Sequence, residues 1–63
     1  MDCGFPGVIR NGYVIGSSFS FDNRVRYRCN PGHKVVGNTT RYCNELGDWE
    51  GSAPICEGIL FRL

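Results

Sequence analysis

Apolar and polar residues alternate with a period of two through the middle of the chain, most regularly in Arg24-Val25-Arg26-Tyr27-Arg28-Cys29. Successive side chains of a strand point to opposite faces, so this run predicts a strand with Val25, Tyr27 and Cys29 on one face. Arg24, Arg26 and Arg28 fall on the other, which must face water, because three unpaired guanidiniums could not be buried. Ser18-Phe19-Ser20-Phe21 alternates in the same way and predicts a strand with both phenylalanines on one face. Tyr13-Val14-Ile15, Lys34-Val35-Val36 and Thr39-Thr40-Arg41-Tyr42-Cys43 are further short β-favouring runs. Turn formers punctuate them at Asn11-Gly12, Asp22-Asn23, Asn30-Pro31-Gly32, Gly37-Asn38 and Leu46-Gly47-Asp48. With nine glycines and three prolines, no stretch remains for an amphipathic helix. The predicted fold class is all-β.

Length turns this pattern into a stability problem. A chain of 63 residues is one small domain at most, and such a domain buries only about 60% of its unfolded surface. A covalent or metal staple is therefore expected. Cys3, Cys29, Cys43 and Cys56 supply the candidates, and an even count in so short a chain reads as a disulfide framework. A zinc site would call for closely spaced cysteine pairs, which are absent, and His33 is the only other soft ligand. Neither a metal nor another cofactor is expected. Four cysteines allow three pairings, and their spacing leaves all three open. Disulfides persist in oxidising surroundings, so the expected location is extracellular, either secreted or on a cell surface.

The longest apolar stretch, Ile59-Leu60-Phe61, is far short of the roughly 20 residues of a membrane-spanning helix, and direct membrane insertion is not expected. An extracellular domain without a signal segment reads as a module of a longer protein. Residues 1–2 are then an expression start or a linker, residues 3–56 the module, and residues 57–63 a linker or C-terminal tail rather than a core strand.

The ordered set Cys3, Pro6, Asn11-Gly12, Phe21, Val25-x-Tyr27-x-Cys29, Pro31-Gly32, Gly37, Cys43, Gly47-Asp48-Trp49 and Pro54-Ile55-Cys56 resembles sushi modules. These are also called complement control protein modules or short consensus repeats. The resemblance covers residues 3 to 56 and implies a small disulfide-rich all-β fold, elongated, with its ends at opposite poles. It further implies the pairings Cys3–Cys43 and Cys29–Cys56, and a tryptophan, here Trp49, packed near the second bridge. A structural core of Trp49, Tyr27, Val25 and Phe21 is expected. Two positions depart from the pattern. Asp22-Asn23 occupies a turn where the family often has glycine, which short polar side chains tolerate. His33 stands where an aromatic residue usually follows the glycine.

Charge adds a candidate site. The net charge is only +1, but from Arg24 to Arg41 every charged residue is basic, and from Glu45 to Glu57 every one is acidic. Arg24, Arg26 and Arg28, with Lys34 and Arg41, are the candidate partner-binding residues. Forked guanidinium donors suit carboxylate or sulfate, which points to an acidic protein patch, a glycosaminoglycan or another polyanion; the competing reading is a solvated strand face. Nucleic acid is not an expected partner. Asn38-Thr39-Thr40 fits the N-glycosylation acceptor pattern, and a glycan on Asn38 would block the face around it. Phe5, Tyr13 and Tyr42 are candidate interface anchors, since exposed aromatics are enriched at hot spots; against that, in so small a domain at least two of them are expected in the core. One histidine, with every cysteine assigned to a bridge, makes no catalytic constellation, so the chain is not expected to be an enzyme. Non-catalytic recognition of an extracellular protein partner is the expected role. The alternatives are a spacer between neighbouring modules of the same chain, and polyanion binding through the arginine strand.

Overall fold

The computed structural model describes residues 1–59. It contains five strands and, among the described residues, no helix: β1 (Gly12–Ile15), β2 (Arg24–Cys29), β3 (His33–Val36), β4 (Thr40–Tyr42) and β5 (Ile55–Gly58). They form two antiparallel sheets, one in the order β1-β2-β4 and the other pairing β3 with β5. The body is elongated, 51 × 18 × 13 Å. Its N-terminal arm lies at the start of β2, where Asp2 bridges to Ser20 and the Phe21 N–H donates to the Met1 carbonyl. The chain leaves past the other end of β2, where the Ile59 N–H donates to the Gly32 carbonyl.

β2 is the central strand because its alternation suits one buried and one wet face. Val25 and Tyr27 are 0% and 3% exposed, while the three arginines between and beside them face solvent. Among the described residues Val25, Tyr27, Cys43 and Cys56 make up the buried hydrophobic core, and Pro54 is buried as well. Burying two side chains of the size of Val25 and Tyr27 contributes about 3–6 kcal/mol. The two disulfides, Cys3–Cys43 and Cys29–Cys56, close loops with sequence separations of 40 and 27 residues. Loops of that length correspond to about 3.5–4 kcal/mol each in the chain-entropy model. The staples therefore rival the core. Cys29 lies in β2 and Cys56 in β5, so the second bridge ties one sheet to the other, whereas the first pins the N-terminal arm to the end of β4.

Several positions differ from the expectations above. Ser18–Phe21 is not a strand: Ser20 alone makes a bridge, and a turn closes at once as the Asn23 N–H donates to the Ser20 carbonyl. Asp22 takes φ 74° in that turn. The turn rotates Phe21 away from Phe19, leaving Phe21 48% exposed and outside the core. Trp49 packs around the first bridge, not the second. Asn44 folds the intervening residues into a tight turn, accepting the Leu46 and Asp48 N–H groups on Oδ1. This doubles the chain back so that Trp49 bridges to Cys43. The indole N–H then donates to the Gly4 carbonyl at 2.9 Å, and the ring meets Phe19 edge-on with centroids 6.2 Å apart. β5 runs two residues past Cys56, because Glu57 and Gly58 continue the ladder opposite Lys34 and His33. Residues 60–63 of the expected tail lie outside the described residues.

Two local devices hold the sheets in place. Gly12 stands opposite Cys29, where an added Cβ would come within 2.5 Å of the Arg28 carbonyl oxygen and 2.7 Å of the Cys56 sulfur. Only a glycine leaves room for the bridge to pass. Arg41 opposes Val25 across the ladder, so its side chain falls on the face opposite the β2 arginines. There it donates to three backbone carbonyls, those of Trp49 (3.1 Å), Glu50 (3.1 Å) and Gly51 (2.9 Å). The fork gathers the loop that leads from Trp49 toward β5.

In urea unfolding with both bridges intact, Arg41→Ala is expected to lose about 2–3 kcal/mol, since hydrogen bonds to a charged group are the stronger kind. Arg41→Lys is expected to recover less than half of that, having no planar fork. Gly12→Ala is expected to lose about 1–3 kcal/mol through overpacking against backbone and sulfur; an unchanged midpoint would contradict the close approach.

Candidate binding face

Residues directly opposite one another in an antiparallel pair share a face, so the register defines what surrounds the arginines. Arg28 stands opposite Tyr13, Arg26 lies between Ile15 and Thr40, and Arg24 is opposite Tyr42. The outer face of the three-stranded sheet is thus a row of three guanidinium side chains flanked by Tyr13, Ile15 and Tyr42, which are 50%, 46% and 49% exposed. Residues two apart on one strand are about 6.7 Å apart, so the row presents cationic groups at near-regular intervals over two turns of the pleat.

The row is electrostatically unspent. Among the described residues the single ion pair is Lys34–Glu57, 3.7 Å apart and mostly in water, and a pair so exposed contributes little. Arg26 borders two shallow grooves. One, about 440 Å³, runs between the sheets and is lined by Arg26, Arg28, His33, Val35, Thr39 and Thr40. The other, about 480 Å³, is lined by Ile15, Gly16, Ser17, Arg24 and Arg26. Beyond Tyr42 the surface changes sign: Phe21, Asp22, Tyr42, Glu45 and Glu50 share a depression of about 380 Å³. The charge segregation along the chain thus becomes a basic row and an acidic end of neighbouring surface.

Not every basic residue singled out from the sequence joins the row. Arg24, Arg26 and Arg28 do. Arg41 does not, because its guanidinium is committed to backbone carbonyls on the other face. Lys34 belongs to the second sheet, paired with Glu57. At least two of Phe5, Tyr13 and Tyr42 were expected inside, yet the register turns Tyr13 and Tyr42 outward beside arginines, and Phe5 is 57% exposed, meeting Phe19 edge-on with ring centroids 5.9 Å apart. None of the three is core. Of the two readings open to them, interface anchor or core, the exposed one holds for Tyr13 and Tyr42 on this face, while Ile15 is the residue of the face that sequence reasoning missed; a register linking β1 and β4 to β2 is the signal that finds it.

All four cysteines are held in the two bridges. His33 half-buries its ring, with Nδ1 3.2 Å from the Pro31 carbonyl oxygen, and among the described residues its ring is hydrogen-bonded to no nucleophile or orienting carboxylate. Among the described residues no cluster of three or more His, Cys, Asp or Glu side chains could hold a metal ion. Among the described residues no helix is long and apolar enough to cross a membrane.

Comparison with known proteins agrees with this architecture. The model of the Sushi repeat (SCR repeat) family matches residues 3–56. The chain is 42% identical over 57 residues to "Sushi, von Willebrand factor type A, EGF and pentraxin domain-containing protein 1" of Rattus norvegicus, covering 90% of this chain and 2% of that protein. It is 40% identical over 55 residues to "Protein lev-9" of Caenorhabditis elegans, covering 87% of this chain and 9% of that protein. It is 37% identical over 59 residues to "Complement factor B-like protease" of Gallus gallus, covering 94% and 24% respectively. The chain therefore spans a quarter or less of each of these relatives. With the strand order, the two bridges and a family match running from the first cysteine to the last, the chain belongs to the Sushi repeat family.

Proposed function

We propose that this module is a non-catalytic extracellular recognition domain that binds an acidic surface of a partner protein through the outer face of the β1-β2-β4 sheet. One observation carries the reading: Arg24, Arg26 and Arg28 stand in a row without acidic partners among the described residues, flanked by half-exposed Tyr13 and Tyr42. Arginine and tyrosine are the side chains that most often dominate protein interfaces, each combining apolar area with a directional polar end. Carboxylates on the partner would accept from the guanidinium forks, while the tyrosine and Ile15 surfaces would exclude water around them. Long-range attraction to the basic row would raise the association rate.

A polyanion such as a glycosaminoglycan is the second reading, favoured by the regular spacing of the three guanidiniums along β2. It makes little use of the aromatic flank. The extracellular location rests on the two disulfides, which would not survive in reducing cytosol. The absence of catalysis rests on the isolation of His33 and the commitment of every thiol to a bridge, so a protease relative would carry its chemistry in other domains. The spacer role, in which the module contacts only its neighbours in the same chain, leaves the arginine row with no task.

Peptides selected from a random display library against the folded module separate these readings. Enriched Asp and Glu are expected, with amide shift changes centred on Tyr13, Arg26 and Tyr42. Arg26→Ala and Tyr42→Ala, both at exposed positions, are each expected to weaken the selected peptide about tenfold, the size of one charge-assisted contact. A heparin oligosaccharide titrated in parallel that senses the arginines but not the tyrosines, with binding falling steeply as salt rises, would favour the polyanion. A footprint on the β3-β5 sheet, or none with either probe, would contradict the proposal.

A further inference from the structure

The geometry points to Asn38 as an N-glycan acceptor whose glycan covers the Arg28 end of the proposed binding face; the covering, though not the acceptor itself, rests on that reading. Asn38 is exposed, between Gly37 and the start of β4. Its side chain makes one hydrogen bond among the described residues, Oδ1 accepting the Thr40 N–H at 3.1 Å. That Asx-type turn holds the amide near Thr40, the hydroxyl residue of the acceptor pattern. It employs only the oxygen. The amide nitrogen Nδ2, the atom that forms the bond to sugar, has no partner to give up, so a glycan can be added and retained without breaking the turn. In the transfer itself an N–C bond forms between Nδ2 and the anomeric carbon of a lipid-linked oligosaccharide. The amide loses one proton, and the lipid pyrophosphate departs with the bonding electrons.

Three features make the acceptor compatible with the folded module. Gly37 takes φ 108° and an added Cβ there would lie 3.5 Å from Pro54, so the turn is held close to the body at the residue before Asn38. The segment just before β4 lies outside the ladder pairs, which begin with Thr40 opposite Arg26. Continuing that register by two residues would bring position 38 level with Arg28, and the Tyr27 N–H donation to the Thr39 carbonyl keeps the two segments adjacent. Thr39 and Thr40 also line the groove shared by Arg26 and Arg28. A branched, hydrated oligosaccharide rooted there would occlude the groove and the Arg28–Tyr13 end of the row, leaving Arg24 and Tyr42 open.

The test is secretion of the module from a eukaryotic host, followed by intact mass before and after peptide-N-glycosidase treatment. A carbohydrate mass increment is expected, removed by the enzyme, lost in both Asn38→Gln and Thr40→Ala, and kept in Thr40→Ser. The last variant separates loss of the acceptor from misfolding. Unmodified mass from a host that glycosylates a control protein would overturn the acceptor assignment, as would an increment that survives Asn38→Gln. On immobilised heparin the glycosylated form is expected to elute at lower salt than the enzyme-treated form. Equal elution of the two forms would overturn the covering, while absence of retention for either form would count against the basic row as a polyanion site and leave the acceptor standing.

Discussion

The Cys29–Cys56 bridge is the constraint on which the rest of the structure depends. It is the covalent joint between the two sheets, running from the central strand of one to the edge of the other. Its sulfur occupies the space that the missing side chain of Gly12 leaves free. The buried apolar residues are few, with Val25 and Tyr27 the only buried residues of β2. A domain of this size lacks the interior to hold two small sheets together by contact alone. Cross-linking restricts the unfolded ensemble instead, and leaves most side chains free to face outward.

That freedom is what makes the outer face available. β2 supplies both the buried residues and the arginine row, and the pleat keeps them on opposite sides. A one-residue slip in its pairing would drive three guanidiniums inward and expose Val25 and Tyr27, so folding and presentation of the row are selected together. The same register brings Tyr13, Ile15 and Tyr42 alongside the arginines, so two tyrosines that the core does not use stand exposed beside the row. Arg41 shows the reverse use of the same residue type. One strand away and one face over, its fork ties three carbonyls and contributes nothing to the row.

Much of this was legible from residue order. The alternation of Arg24–Cys29 is long enough to define a strand and its faces without help from tertiary structure, and the positions of β1, β3 and β4 follow from short β-branched and aromatic runs between turn residues. Other features depend on distant partners. β5 was hidden because Glu57 and Gly58 have little strand character of their own and are ordered by His33 and Lys34 across the ladder. Phe21 looked like a core residue by parity with Phe19, but parity fails when a turn begins between them. The face of Arg41 depends on the register of β4 against β2, which no local pattern encodes. Trp49 was placed near the wrong bridge because the hydrogen bonds of Asn44 reverse the chain there, and a turn made by one side-chain oxygen leaves a weak signature in sequence.

The most direct test of the central claim is the amide spectrum of the module after both bridges are reduced and the thiols blocked, at neutral pH without denaturant. Collapse of the dispersed resonances, with loss of exchange protection at Val25 and Tyr27, is the predicted result. A reduced, blocked chain that keeps a dispersed spectrum and protected amides in β2 would show that contacts among so few buried residues suffice, and would contradict the account.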